Sequence, residues 1–424
     1  MNIEWSEFGH RLGQNSGIAE LMTNLGEAMV GGGDLKMLGG GQPAHIAEVE
    51  AVWEKRWNEL KESGEFHQVL GNYQPPAGSG IFRQALAEML RQQFGWEVGP
   101  ENIAVTSGGQ TAFFLLFNAL AGKMPNGEHR KVLLPLVPEY IGYADQAVAG
   151  DLFEVVRPVL QKTGPHRFKY SIDFDALEIG DHIAAICVSR PTNPSGNVLR
   201  DEEVTRLRAL ATRHGIPLII DNAYGAPFPN IIFGEATPVW DESLIVTMSL
   251  SKLGLPGTRT GIVVADQEIV RGLSEMTGVV GLANSNIGQA IVEPLLENGE
   301  LLRLSNEVMK PFYKKKSEQA LAWVEVFFPA ELNYYIHEVE GALFLWCWFE
   351  GLPISTMELY RRCRERGVLI VPGEYFFFGE EEDWAHGREC IRVTYTMEED
   401  VVREGVRLIA EEVKAAYESE AKRS

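Results

Sequence analysis

Cysteine is scarce in this chain. The four, Cys187, Cys347, Cys363 and Cys390, include no pair at the CxxC spacing of a zinc or redox site, so no metal site is signalled. Cys187 and Cys347 sit in apolar runs and read as small core residues, which suits a reducing, cytoplasmic home. Positive charge is in deficit too. Against 59 Asp and Glu stand 38 Lys and Arg, a net charge of −21. Such a balance excludes the basic face that nucleic-acid binding requires and argues against attraction to anionic membranes, while favouring solubility. The longest apolar stretch, around TAFFLLFNALAG, is too short to span a bilayer. The N-terminus, MNIEWSEFGHRLGQNSG, lacks the apolar segment of a secretion signal. Internal repeats, low-complexity tracts and long linkers are missing as well.

What remains is an ordinary globular composition. With 424 residues, 45% of them hydrophobic, the chain can bury a substantial core and form one large and one small domain. Residues 1–45 are glycine-rich and loop-like, and helical periodicity covers 46–63 and 80–94. Short apolar runs then alternate with helical patterns. ENIAVTSGG, KVLLPLVPEY, HIAAICVSRPTNPSGN, IPLIIDNAYG, SLIVTMSLSK and GIVVAD read as strands. DEEVTRLRALATRHG reads as an amphipathic helix closed by Gly215. This order predicts an α/β fold, a mostly parallel sheet covered by helices on both faces. From about 290 to 326 a long helix is expected. Strands at GALFLWCWF, VLIVPG and CIRVTYT and a last helix from about 398 to 420 then predict a smaller α+β unit.

Ligands of such sheets bind beyond the carboxyl ends of the strands. The polar residues collect there: Ser107-Gly108-Gly109-Gln110, Asn193, Asp221 with Tyr224, and the stretch TMSLSKLGLPGTRTG around Lys252. An amine set among hydroxyls, with Arg259 seven positions on, suits a Schiff base to an aldehyde cofactor that carries a phosphate. Pyridoxal phosphate is such a cofactor.

It needs a carboxylate at the ring nitrogen, and Asp221 ends an apolar strand. Tyr224 and Asn193 offer donors for the phenolic oxygen; the proline after Asn193 holds that residue extended. A helix N-terminus at Gly109-Gln110 binds anions, joined by Ser249, Ser251 and the two-pronged Arg259. Tyr140 offers a stacking face. Arg392, inside the apolar strand CIRVTYT, calls for an anionic partner such as a substrate carboxylate. Taken singly, each has a plain reading as cap, turn, packing residue or internal salt bridge.

Along nearly its whole length the chain resembles the class I/II (fold type I) pyridoxal-phosphate-dependent aminotransferases. LGGGQPA, NYQPPAG, SGGQTA, PEYIGY, RPTNPSG, DNAYG, SLSKLGLPGTRTG and IRVTY match in that family's order. The resemblance implies that Lys252 anchors the cofactor and moves the proton, and that Asp221 faces the ring nitrogen. It implies that Tyr224 and Asn193 face the phenolic oxygen, and that Tyr140 stacks on the ring. Gly109, Gln110, Ser249, Ser251 and Arg259 would hold the phosphate. Arg392 would clamp the substrate carboxylate with Asn193 and the backbone near Gly40 and Gly41. Tyr73 would reach the phosphate in a neighbouring subunit, implying a homodimer with shared sites.

The pattern departs from the family mildly: Gly109 stands where Ser or Thr is common, Tyr140 where Trp or Phe is, and Ser195 where Thr is. The implied domains are an N-terminal segment, 1–45, packing with the small domain; a large cofactor-binding domain, 46–300; and a C-terminal small domain, 301–424. The implied activity is ping-pong transamination between valine, or a related small apolar amino acid, and pyruvate. Segments near Gly39–Gly41, Tyr73 and Phe376 could line an apolar substrate pocket. An alanine or aromatic aminotransferase, or a β-lyase or synthase of the same fold, uses the same ring-binding set, and a cofactor-binding regulator is a further alternative.

Overall fold

The computed structural model describes residues 4–13, 17, 19, 23, 26, 35–380 and 383–421. Its centre is an eight-stranded sheet. Across it run Ile103–Thr106, Gly261–Val264, Leu244–Ser249, Leu218–Asp221, Ile183–Ser189 and His129–Leu134, with the short Gly122–Lys123 and Phe153–Val155 bordering the last. From Leu244–Ser249 to His129–Leu134 each neighbouring pair is parallel, whereas Gly261–Val264 runs antiparallel to both of its neighbours. The strands are continuous apolar runs because both faces are covered. Alternate residues serve opposite cores. Ile186, Val188, Ile220, Val246 and Met248 belong to one. Cys187, Ile219 and Ile245 belong to the other.

Helix signals held where caps are strong. Asp201–His214 begins with three acidic residues, and Glu203 accepts from the Arg200 N–H at 2.9 Å. It ends on Gly215, left-handed at φ 65°, a conformation that glycine adopts without a Cβ penalty. Gly109–Leu120 and Gln267–Gly281 are further helices packed against the sheet.

A second, six-stranded sheet runs Val371–Pro372, Cys390–Thr394, Phe344–Phe349, Tyr334–His337, Arg167–Ser171, Val159–Gly164. The helices Lys310–Phe327 and Thr356–Glu365 flank it, and Glu399–Ala421 packs on both helices. The hairpin Val159–Ser171 falls inside the span 46–300 expected for the large domain. It pairs instead with the C-terminal strands, through Ile336 to Arg167 and His337 to Phe168. Lys36–Met37 likewise pairs with Val368–Leu369.

Two local expectations change. The single helix of about 290–326 is broken into Ile287–Glu297, Glu300–Arg303 and Lys310–Phe327, joined by a wide π-type turn at Leu304–Met309. Gly299, left-handed at φ 77°, ends the first piece. The N-terminal region is not all loop either: Ser6 accepts from the Gly9 N–H and starts a helix over Glu7–Leu12. Most of 14–34 lies outside the described residues. All four cysteines are buried and unpaired. Among the described residues no helix is long and apolar enough to cross a membrane.

Candidate active site

Strand register builds the centre of the site. Asp221 lies level with Ser189 on one side and Thr247 on the other, all at the carboxyl end of the sheet. The residue is 8% exposed. It accepts from the Tyr143 hydroxyl at 2.5 Å and from the Ala223 N–H at 3.0 Å. Burial pushes this carboxyl above its ordinary range, while the hydrogen bonds and the Lys252 amine oppose that rise.

Lys252 lies in the short turn Leu250–Leu253 that follows Leu244–Ser249. Its Nζ donates to the Gly41 carbonyl at 2.6 Å and stands 5.2 Å from the centre of the Tyr224 ring. Burial, with Arg392 nearby, lowers its pKa to about 8, although Asp221 pulls the other way. A primary amine with such a pKa carries a substantial neutral fraction near that value, and the neutral amine is the form a nucleophile or base requires.

Arg392 is 2% exposed. It donates to the Asn193 side-chain oxygen at 2.7 Å and to the Gly39 carbonyl at 2.8 Å. Both acceptors are neutral, and its Nε is buried without a partner. Its guanidinium packs on the rings of Phe344 and Phe376, 4.2 and 5.2 Å from their centres. Burial lowers its pKa to about 10. A buried cation held only by neutral oxygens has capacity left for a carboxylate. The Gly39-Gly40-Gly41 loop is thereby tied at one end to Arg392 and at the other to Lys252.

The anion cradle lies at the start of Gly109–Leu120. Gly108 precedes it at φ 91°, and a Cβ there would overlap the Arg259 guanidinium. Only glycine lets Arg259 close over this helix N-terminus. Ser249 bonds the Ser251 hydroxyl at 3.0 Å and accepts from its N–H at 3.1 Å. Gln110 donates to the Gly142 carbonyl at 2.7 Å, with its own side-chain oxygen buried and unpartnered.

The fold thus gathers Asn193, Asp221, Tyr224, Lys252 and Arg392, with Gly40 and Gly41 beside them. Gly109, Gln110, Ser249, Ser251 and Arg259 lie around the helix N-terminus. Tyr140 packs edge-on against Tyr143, ring centres 5.3 Å apart. Tyr73 stands apart, 81% exposed on the surface. Two residues escaped the sequence reading. Tyr143 holds Asp221, and Glu139 is buried beside Tyr140. Both stand in PEYIGY, the motif already singled out for Tyr140.

The donor set fits pyridoxal phosphate. An amine with a lowered pKa, a buried carboxylate held by neutral donors, an anion-binding helix start and an unsatisfied arginine answer its aldehyde, ring nitrogen, phosphate and substrate.

Comparison with known proteins places the chain among relatives of one kind. It is 46% identical to the valine–pyruvate aminotransferase of Escherichia coli K12, over 98% of this chain and 99% of that protein. The structure of valine-pyruvate aminotransferase from Salmonella typhimurium LT2 superposes with a TM-score of 0.87 at 46% identity, covering 95% of this chain and all of the other. Aromatic-amino-acid aminotransferase 1 of Thermococcus litoralis is 27% identical over 90% of this chain and 88% of its own length. The family model for aminotransferase class I and II matches residues 38–409, a span that holds every site residue named above, and the chain belongs to that family.

Proposed function

We propose that the protein is a pyridoxal-phosphate-dependent aminotransferase that moves the amino group of valine, or a related small apolar amino acid, to pyruvate. The products are 2-oxoisovalerate and alanine, formed by a ping-pong sequence. The observation that carries this reading is Lys252, an amine of lowered pKa held by Gly41 beside Asp221 and Arg392. When bound, the cofactor supplies an electron sink for the substrate α-carbon.

The chain's own residues do the rest. Lys252 Nζ anchors the cofactor and then takes and returns the α-proton. Asp221 keeps a proton on the ring nitrogen, with Tyr143 fixing its carboxylate. Asn193 spends its oxygen on Arg392, which leaves its amide N–H₂ to face the phenolic oxygen together with the Tyr224 hydroxyl. Tyr140 stacks on the ring. Gly109, Gln110, Ser249, Ser251 and Arg259 hold the phosphate. Arg392 grips the substrate carboxylate, and the rings of Phe344 and Phe376 beside it favour a small apolar side chain. The relatives named for valine and pyruvate support the same choice.

The working form is a homodimer in which Tyr73 reaches the phosphate of the other subunit. Its exposed ring and the apolar surface around it support that assembly. The four unpaired cysteines suit the cytoplasm. Incubating the purified protein with valine and pyruvate tests the activity. Alanine and 2-oxoisovalerate in equal amounts are expected. Pyruvate and ammonia from a cysteine conjugate, with no amino transfer from valine, would overturn it in favour of a lyase.

A further inference from the structure

Glu139 has 0% exposure, and none of the roles above uses it. One carboxylate oxygen accepts from the Ser189 N–H at 2.9 Å. The other accepts from the Ser189 hydroxyl at 2.6 Å and from the Tyr140 N–H at 3.1 Å. Its own N–H donates to the Phe376 carbonyl at 3.0 Å. One residue therefore joins three walls of the site. The first is the loop that carries Tyr140. The second is the strand end at Ser189, level with Asp221, from which the chain turns to Asn193. The third is Phe376, brought by the second sheet's unit.

Burying a carboxyl is costly, and an apolar residue would fill the space at less cost. Burial pushes this one up to about 8 despite its three hydrogen bonds, with the Asp221 charge adding to the rise. A group this expensive, aimed wholly at the backbone and hydroxyl of the site's own supports, has a geometric task.

We propose that Glu139 is a positioning residue: its two carboxyl oxygens fix Tyr140 on one side and, through Ser189, the turn bearing Asn193 on the other. The ring-stacking face and the phenolic-oxygen donor are thereby set as one unit. The inference rests on the reading of this site as a pyridoxal-phosphate site.

Cofactor-loaded Glu139→Gln tests it. Glutamine keeps the shape, but its amide nitrogen cannot accept, so either the Ser189 N–H, or the Tyr140 N–H together with the Ser189 hydroxyl, loses its acceptor. The visible circular dichroism per bound cofactor is expected to change. kcat should fall about 10- to 100-fold through misplacement of the reacting groups, with KM for valine little altered. A merely structural role would lower the melting temperature of the cofactor-free protein and leave dichroism and kcat in place. That pattern, or a variant identical to the parent, overturns the proposal. If Glu139→Gln does not fold, Ser189→Ala decides, since it removes one bond to the same carboxylate. A dichroism change in the same sense supports the proposal, and an unmoved signal refutes it. The parent enzyme, run alongside, separates the two levels. Failure of the parent to bind the cofactor or transaminate defeats the reading of the site. A normal parent with an unmoved variant defeats Glu139 alone.

Discussion

Arg392 donates from Nη1 to the side-chain oxygen of Asn193 at 2.7 Å, across 199 positions of sequence. The arginine comes from the second sheet and the asparagine from a turn of the central one, so this bond stitches the two units at the proposed substrate-binding point. It leaves the guanidinium with its Nε unpartnered. Lysine at 392 would keep the charge but lose the planar fork. Arg392→Lys should therefore cost about 2–5 kcal/mol of transition-state binding, at least about 30-fold in kcat/KM for valine. Steady-state kinetics with valine and pyruvate measure it. A value near that of the parent would remove Arg392 from substrate binding.

Lys252 makes the cofactor-free protein less stable than it could be. Its pKa falls from 10.5 to about 8 on folding, so the unfolded chain holds the proton more tightly than the folded one. The penalty is full below about 8 and fades as pH rises towards 10.5. Lys252→Met should stabilise the cofactor-free protein at neutral pH, by at most about 3 kcal/mol, because the lysine is only partly buried. The gain should shrink as pH climbs through that window. Denaturant titrations of both proteins across it read the effect, and a gain that does not vary with pH would contradict this account. Amino transfer should vanish at every pH.

Much of this architecture was legible because it is local. Continuous apolar runs marked the central strands, and the polar residues at their carboxyl ends marked the site. Asp221 and Lys252 stood out at those ends and Arg392 inside an apolar strand, while their roles came from the ordered set of motifs rather than from any one position. Other features depend on pairing that no local pattern announces. Tyr143 matters only because it meets Asp221, 78 positions away. Glu139 matters because it meets Ser189, 50 positions away. The strand Val159–Gly164 is largely exposed, so it lacks the apolar run that revealed the others. The break at Asn298-Gly299 was different, since a glycine after asparagine is a readable turn signal that helical periodicity on either side overrode.

Tyr143→Phe removes one hydroxyl and nothing else. Asp221 loses the donor that most opposes the effect of burial, and its carboxyl rises further. Proton binding by the folded state then strengthens. The ionised carboxylate becomes harder to keep, so the variant should be less stable than the parent at neutral pH, and the gap should close on acidification. A hydrogen bond to a charged group contributes about 1.5–3 kcal/mol, so kcat/KM should fall by about tenfold or more. The acidic limb of its pH profile should move to higher pH. An unmoved limb would show that the hydroxyl does not govern Asp221.

Gly108→Ala separates backbone strain from lost anion binding. At φ 91° any Cβ is strained, at about 1–2 kcal/mol. The added methyl also displaces the Arg259 guanidinium. Cofactor affinity, followed by fluorescence quenching of the cofactor-free protein, should drop by about tenfold or more, as expected for losing a charged donor. Arg259→Ala should produce a similar drop without the strain. If Gly108→Ala melts early yet binds the cofactor normally, Arg259 is not part of the cradle.

The exposed ring of Tyr73 has apolar company. Ile81, eight positions on, is exposed, and so are Val279, Val280 and Leu282 of a segment distant in sequence, Val279 at 87%. Asn286 donates to the carbonyls of Val69 and Asn72 at 3.0 and 2.7 Å, and Asn284 to that of Pro76 at 2.9 Å. These bonds hold the 66–81 and 278–286 segments together on one surface. An apolar surface of this kind marks an interface, and a second copy of the chain would cover it about a two-fold axis. Val280→Asp places a charge there while leaving each subunit's own core intact. It should convert a dimer to a monomer in sedimentation velocity. With the proposed reach of Tyr73 to the neighbouring phosphate lost, cofactor affinity should fall in the same variant. Tyr73→Phe should weaken affinity while the dimer persists. A Val280→Asp protein that stays dimeric would rule out this surface as the interface. A monomer with undiminished affinity would show that each subunit completes its own phosphate site.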